Sequence, residues 1–321
     1  MPDRIVLAGA SGFLGRYLTE AFRAEGAAVA TIGRRGADAT WDDPESVRRV
    51  VDGADLLVNL AGKSVDCRYS ARNRGEILRS RVATTRALAD AVAASAAPPP
   101  LWINSSTATI YRHAEDRPMT ESTGEIGDGF SVGVATAWEE AFFAGHLPST
   151  RRVALRLAIV LGDGSSMTPL LTLTRLGLGG PQLDGRWPAT RARLAAGTHH
   201  RFRARGGRQR FSWVALEDVL DVIRFVREHP ELEGPLNVSS PNPSDNRTLM
   251  RTLRRTVGMP IGIPLFRWML ELGAIGIRTE TELILKSRWV LPERLLAAGY
   301  TFRRPDLEQT VRAIVEERRR R

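Results

Sequence analysis

Along the first 160 or so residues, apolar runs rich in β-branched residues alternate with segments whose apolar positions recur at helical spacing. The strand-type runs are Arg4–Ala8, Ala28–Ile32, Asp55–Leu60, Leu101–Asn104 and Arg152–Val160. Between them lie the helical patterns Phe13–Ala24, Pro44–Val51, Ala71–Ala94 and Gly133–Gly145. Nearly continuous apolar strands separated by helices predict a parallel sheet covered on both faces. Pro98 to Pro100 end the long helix and deliver the next strand. After Gly162 the alternation loosens, through Arg210–Val214, Leu216–His229, Leu236–Ser239 and Arg247–Val257, to a helix-rich end. The pattern predicts a doubly wound α/β core over residues 1–165, to which elements of 210–240 add strands and a helix. A smaller α/β substrate-side part follows over 166–260, then a C-terminal helical part over 261–321. The apolar stretch Ile261–Ile277, interrupted by Arg267 and Glu271, is too short for a membrane span and reads as a core-facing helix.

The first strand ends in GASGFLG and a helix follows at once. This is the strand–turn–helix setting in which a Rossmann fold binds a dinucleotide. Gly9 permits the tight turn, Gly12 lets the backbone approach a pyrophosphate, and Gly15 packs helix against strand. Ser11, Phe13 and Leu14 complete the loop, whose free N–H groups and helix dipole attract phosphate. At the end of the second strand an NAD binder carries a carboxylate for the ribose hydroxyl. Here the sequence reads TIGRR, and Arg34 and Arg35 suit a 2′-phosphate, so NADP(H) is expected over NAD(H). Trp41 and Asp42 are weaker candidates near the adenine. The small residues of NLAG, with Leu60, Ala61 and Gly62, allow the backbone close to the ribose and nicotinamide.

Apolar content of 43% and charged content of 26% are ordinary for a globular protein. The net charge of +10 is local rather than general: Arg186 to Phe211 holds eight arginines, two histidines and no acid, leaving about +2 elsewhere. Nucleic-acid binders usually spread basic residues over a face, and regularly interleaved aromatics are lacking here, so nucleic acid is disfavoured as a partner. The arginines at 318–321 read as a solvated, frayed end. The lone Cys67 reads as a small buried hydrophobe and fits a reducing cytoplasm, where the chain is expected. The five histidines show no metal-ligand spacing, and no metal is expected. The N-terminus lacks a signal-peptide pattern, and no membrane association is expected.

GASGFLG, NLAG, NSSTATIY, LRLAIVLG, FSWVALEDV and GPLNVSSPNP resemble, in order, the landmarks of the extended short-chain dehydrogenase/reductase superfamily. NLAGKSVDCRY, ILRSRVATTRAL, TRLGLGGP and KSRWVLPERLLAAGYTFRRPDLEQTV resemble its NAD-dependent epimerase/dehydratase-like branch with a distinctive C-terminal domain. The resemblance covers nearly the whole chain. It implies a Rossmann core, a nicotinamide cofactor, hydride transfer and compatibility with a homodimer. It places the reaction's hydroxyl at Thr107, with Ser105 beside the cofactor and Tyr111 one turn on.

The superfamily's Tyr and Lys would fall at Ser131 and Ala135, so the usual acid–base pair is missing. Two substitutes are open. Tyr111 could donate the proton, its pKa lowered by Arg68 or Arg81. Alternatively, the cations of KSVDCRY and RSR bind an anionic substrate. Arg79 and Arg81 point opposite ways on a helix, and the resemblance favours Arg81 for the cleft. Trp138 and Glu139 read as packing and helix support. Relative to the family pattern, residues 184–207 read as a basic insertion, either a plain surface loop or a lid over a phosphorylated or nucleotide substrate. The expected function is an NADP(H)-binding oxidoreductase or epimerase-like enzyme acting on a small polar substrate. A non-catalytic NADPH-binding regulator or sensor is the alternative.

Overall fold

The computed structural model describes residues 2–164, 167–276 and 279–320. The expected boundary at residue 165 lies outside these, as do Ile277 and Arg321, the ends of two other predicted stretches. The chain runs β1 (Arg4–Ala8), α1 (Phe13–Ala24), β2 (Ala28–Gly33), β3 (Ala39–Thr40), α2 (Pro44–Val51), β4 (Leu56–Asn59), α3 (Ala71–Ala93), β5 (Leu101–Thr107), α4 (Phe130–Phe143) and β6 (Arg151–Leu157). It continues through β7 (Ile159–Leu161), α5 (Met167–Leu173), α6 (Arg191–Ala195), β8 (Arg210–Phe211), β9 (Trp213–Ala215), α7 (Leu216–Glu228), β10 (Gly234–Val238), β11 (Ser244–Asp245) and α8 (Asn246–Val257). The last helices are α9 (Arg267–Gly276), α10 (Glu282–Leu285), α11 (Glu293–Ala297) and α12 (Leu307–Arg320).

Seven strands form one parallel sheet in the order β10-β6-β5-β4-β1-β2-β3. The period of two along each strand sorts side chains between two cores. Ile5, Leu7, Leu56, Val58 and Ile103 face α1 and α7, whose Leu18, Phe22, Val219 and Ile223 cover them. Val6, Leu57 and Trp102 face the opposite way, against Val47, Leu88 and Phe142 of α2, α3 and α4. Helices on both faces of a parallel sheet make a doubly wound Rossmann-type fold. The sheet's edges are blunted: β3 is two residues long, and β10 carries Pro235.

Three readings need correction. The expected strand Arg152–Val160 is two strands, because at Ala158 the chain leaves the sheet, its N–H donating to Val238 O at 3.0 Å, and β7 then pairs with β9. The basic end is helical: α12 packs Val311 and Val315 with Leu249 and Leu253 of α8, and Arg318 Nη1 donates to Thr168 Oγ1. The stretch from Ile261 does not turn its apolar side inward. Trp268 is 56% exposed, and Leu272 and Ile275 are exposed with it. The buried face of α9 instead holds Leu270, Ala274 and the two charges that seemed to interrupt it, Arg267 and Glu271. Arg267 is held by Asp184 at 2.7 Å and by Glu271 at 2.8 Å, so charge pairing rather than apolar burial set its orientation.

Candidate functional site

The loop after β1 meets the steric demands of a dinucleotide turn. Gly9 has φ +84°, and a Cβ there would lie 2.8 Å from Ala61 N. A Cβ on Gly15 would lie 2.4 Å from Gly9 O, which explains why helix and strand approach so closely. At Gly12 a Cβ would meet only Gly9 O, at 3.4 Å, so that side of the backbone stays open. The first turn of α1 has neither a side-chain cap nor an acid, so its N–H groups remain for an anion. Ser11 is exposed, while Phe13 and Leu14 are half-buried. Phe13 packs beside Gly162, where a Cβ would lie 2.9 Å from its ring.

A cleft of about 760 Å³ runs from Ser11 to the end of β2 and is lined by Arg16, Arg23, Arg34 and Arg35. Arg34 and Arg35 are both exposed. The nearby carboxylate, Asp38, is engaged elsewhere: it accepts from the N–H and the hydroxyl of Thr31, each at 2.8 Å, and these bonds hold its pKa below the usual range. A larger hollow of about 1160 Å³ opens at the opposite edge of the sheet, between Asp3, Pro100, Arg151 and Gly234. Ligands of open parallel sheets bind at the carboxyl edge, so the smaller cleft is the relevant one.

At that edge, Leu60 N donates to Ala8 O at 2.8 Å, and Ala61 N to Asn59 Oδ1 at 3.0 Å. Gly62 lies against Arg81, whose Nη1 donates to Lys63 O at 2.9 Å and whose guanidinium sits 5.0 Å from the Trp138 ring centroid. Burial draws the Arg81 pKa down to about 10. Arg79 is exposed. Arg68 is tied down: its Nη1 donates to Thr279 O at 3.0 Å, and its Nε lies 3.4 Å from Glu280. Thr107 ends β5 half-buried, its Oγ1 accepting from Thr109 N at 3.1 Å. Ser105, also half-buried, lies on the same side of the strand by alternation.

Tyr111 does not reach this space. It is 2% exposed, its hydroxyl donates to Asn237 Oδ1 and accepts from Arg156 Nη1, both at 2.9 Å, and burial raises its pKa. With its hydroxyl consumed internally, the expected role as proton donor is withdrawn. Arg156 in turn forms a two-pronged pair with Glu139, at 2.9 and 2.6 Å, and Ser106 Oγ donates to the same carboxylate at 2.5 Å. Glu139 is therefore the centre of a buried polar network and not a helix-surface residue, a correction to its expected role.

The C-terminal segment closes over the place of the missing Tyr–Lys pair. Ser131 Oγ donates to Glu282 at 2.8 Å, and Ala135 is buried. Lys286 and Arg288 reach Thr109 from the same segment. The basic insertion is docked on this segment too. Arg193 pairs with Glu271 at 3.1 Å, and Phe202 stacks between His113 and His200, 4.9 Å from each. Gly197 O accepts from Phe130 N at the start of α4. Sequence reasoning gave no role to Glu282, Lys286, Arg288 or His113, although Lys286 and Arg288 open the KSRWVLPERLL motif that carries the resemblance.

Burial, aided by the charges of Lys286 and Arg267 respectively, draws the pKa of His113 and of His200 down to about 4. Each ring is neutral in the fold and titrates near 6.5 when unfolded. The unfolded chain takes up protons first as the pH falls, so this contribution is complete above about pH 6.5 and is lost toward pH 4. Melting temperature measured from about pH 8 to pH 4 should fall across that window, and His200→Asn should flatten the slope. An unchanged slope in the variant would contradict the assignment.

The profile of the NAD dependent epimerase/dehydratase family matches residues 5–129, and that of a domain of unknown function, DUF1731, matches residues 265–314. The epimerase family protein SDR39U1 of Bos taurus is 32% identical over 320 residues, covering 97% of this chain and 99% of its own. YfhF of Bacillus subtilis is 27% identical, with 98% and 99% covered. The crystal structure of human SDR39U1 with NADPH superposes with a TM-score of 0.83 at 28% identity, covering 98% and 99%. Relatives matched from end to end and the two profiles together show that the chain belongs to the NAD-dependent epimerase/dehydratase family, in the branch that carries the DUF1731 domain.

Proposed function

We propose that this chain binds NADP(H) in the cleft between Ser11 and Arg35 and acts on a small polar substrate as an oxidoreductase or epimerase-like enzyme. The observation that carries the reading is the pair Arg34 and Arg35, exposed on the same cleft as Ala10 and Ser11 of the glycine turn while Asp38 is turned to Thr31. The human relative crystallised with NADPH supports it. The Gly9–Gly15 loop would hold the pyrophosphate and the two guanidiniums the 2′-phosphate. Leu60, Ala61, Gly62 and Ser105 would bound the nicotinamide side. The bound cofactor supplies hydride exchange. Thr107 spends its Oγ1 lone pair on Thr109 N, which leaves its own proton to donate to a substrate oxygen. Arg81 adds a half-buried positive charge behind Gly62.

Calorimetric titration tests this. The native chain should bind NADPH at micromolar Kd. Arg34→Ala plus Arg35→Ala should lose about 1.5–3 kcal/mol, roughly 10- to 100-fold, for NADPH, and little for NADH. Equal loss for both nucleotides would remove the 2′-phosphate role. A second reading, an NADPH-binding regulator, is favoured by the exchange of Tyr and Lys for Ser131 and a buried Ala135. It predicts tight NADPH binding with no oxidation of the nucleotide across a substrate screen.

A further inference from the structure

Two cations of the C-terminal segment are buried with no ion pair among the described residues. Lys286 is 4% exposed and Arg288 is 6% exposed. Lys286 Nζ donates to Thr109 O at 2.8 Å, the one acceptor it has among the described residues. Arg288 Nε donates to Thr109 Oγ1 at 3.1 Å and its Nη1 to Leu283 O at 2.9 Å, while its Nη2 has no acceptor there. Two other buried guanidiniums are paired with acids: Arg267 has Asp184 and Glu271, and Arg156 has Glu139. The acid next to them in sequence, Glu282, accepts from Ser131. His113 brings no charge; its Nδ1 accepts from Ser287 N at 2.9 Å, and burial keeps the ring neutral.

Taking an ion out of water costs several kcal/mol unless an opposite charge or a full set of hydrogen bonds meets it. Two such ions side by side also repel. Their shared anchor is Thr109, two residues beyond Thr107 and directly after the carboxyl end of β5, where open parallel sheets bind ligands. On the far side stands Ser131, at the position of the missing Tyr. The aromatic stack of His113, Phe202 and His200 adjoins the segment through Ser287, whose N–H donates to His113 Nδ1. Two adjacent cations, only partly offset by the nearby Glu282 carboxylate, suit a compact oxyanion, which accepts from a guanidinium fork and an ammonium together.

We propose that Lys286 and Arg288 form an oxyanion site that binds a carboxylate or phosphate group of the substrate and so presents its reacting carbon to Thr107. The proposal rests on the cofactor reading above for where the reacting carbon lies, but not for the existence of the site. The site selects a compact acid over a neutral alcohol, and it supplies by binding energy part of the orientation that the Tyr–Lys pair would give. Burial and the neighbouring Arg288 draw Lys286 down to about 8, so it is still mostly charged at neutral pH, and an anion beside it would hold the proton more firmly.

The test is thermal denaturation of the full chain saturated with NADPH, which occupies the Arg34–Arg35 cleft. Inorganic phosphate and malonate are titrated separately against sodium chloride of equal ionic strength. The native chain should show a saturable rise in melting temperature with at least one anion, and the tighter of the two identifies the group. Lys286→Met and Arg288→Met should each weaken half-saturation at least tenfold, whereas the exposed Arg201→Ala should not. Lys286→Met should also melt no lower than the native chain without anion, because it removes an unpaired buried charge. Saturation unchanged in both variants, no saturable rise at all, or a Lys286→Met chain that fails to fold while Lys286→Arg folds would each overturn the proposal. If calorimetry shows that NADPH does not bind, the cofactor reading fails separately. The same anion titration is then run in the Arg34→Ala plus Arg35→Ala background, where the same outcomes decide the oxyanion site.

Discussion

Replacing Glu139 by leucine lowers the unfolding free energy by about 3–5 kcal/mol, the largest single-site loss of stability expected here. The carboxylate is nearly fully buried, pairs through both oxygens with Arg156, and accepts from Ser106. Leucine fills the volume but leaves the Arg156 guanidinium in the interior with only the Tyr111 hydroxyl as partner. The penalty belongs to the stranded charge more than to the lost pair. Glu139→Leu combined with Arg156→Met should therefore recover most of the loss. Urea denaturation of the native chain, both single variants and the double variant reads this directly. If the double variant is as unstable as the sum of the singles, the two side chains are uncoupled and the stranded-charge account is wrong.

Gly12→Ala and Gly15→Val separate the two jobs of the glycine turn. At Gly15 the first added carbon already lies 2.4 Å from Gly9 O and 2.7 Å from Ala10 Cα, both backbone atoms that cannot rotate away. Valine there should cost about 3 kcal/mol or more of stability and lower NADPH affinity over 100-fold. At Gly12, φ is −73° and a Cβ has room in the fold. Alanine should change stability by only about 1 kcal/mol, yet lose nucleotide binding by a similar factor, because the methyl occupies the pyrophosphate's approach. Calorimetry beside urea denaturation gives both quantities. Normal NADPH affinity in Gly12→Ala would move the pyrophosphate away from this turn.

The glycine turn was legible in the sequence because its demands are local: a strand end, a positive φ and a close helix, all within seven residues. The arginines at the end of β2 were legible for the same reason. The partners of Tyr111 were not. Asn237 lies 126 residues away and Arg156 lies 45 away, and although both stand in the landmarks GPLNVSSPNP and LRLAIVLG, nothing in those motifs announces the contact. Arg68 looked like a free cation because Thr279 and Glu280, which hold it, are 211 and 212 residues distant. The arginine-rich stretch from Arg186 looked unpaired because it has no acid of its own; Glu271 answers Arg193 from α9. Helix α9 was misread because apolarity was taken to point inward, whereas three paired charges, Asp184, Arg267 and Glu271, took the interior.

The position of β10 sets a schedule for synthesis. The strand that completes the sheet beside β6 is not made until residue 238, with residues 158–233 translated in between. At ~5–20 residues per second that is roughly 4–15 s. Through that interval β6 lacks β10, its partner in the finished sheet, along Val153 to Leu155. An unpaired edge of this kind is open to pairing with other chains, so slower passage of ribosomes across residues 158–233 is expected to lengthen that exposure.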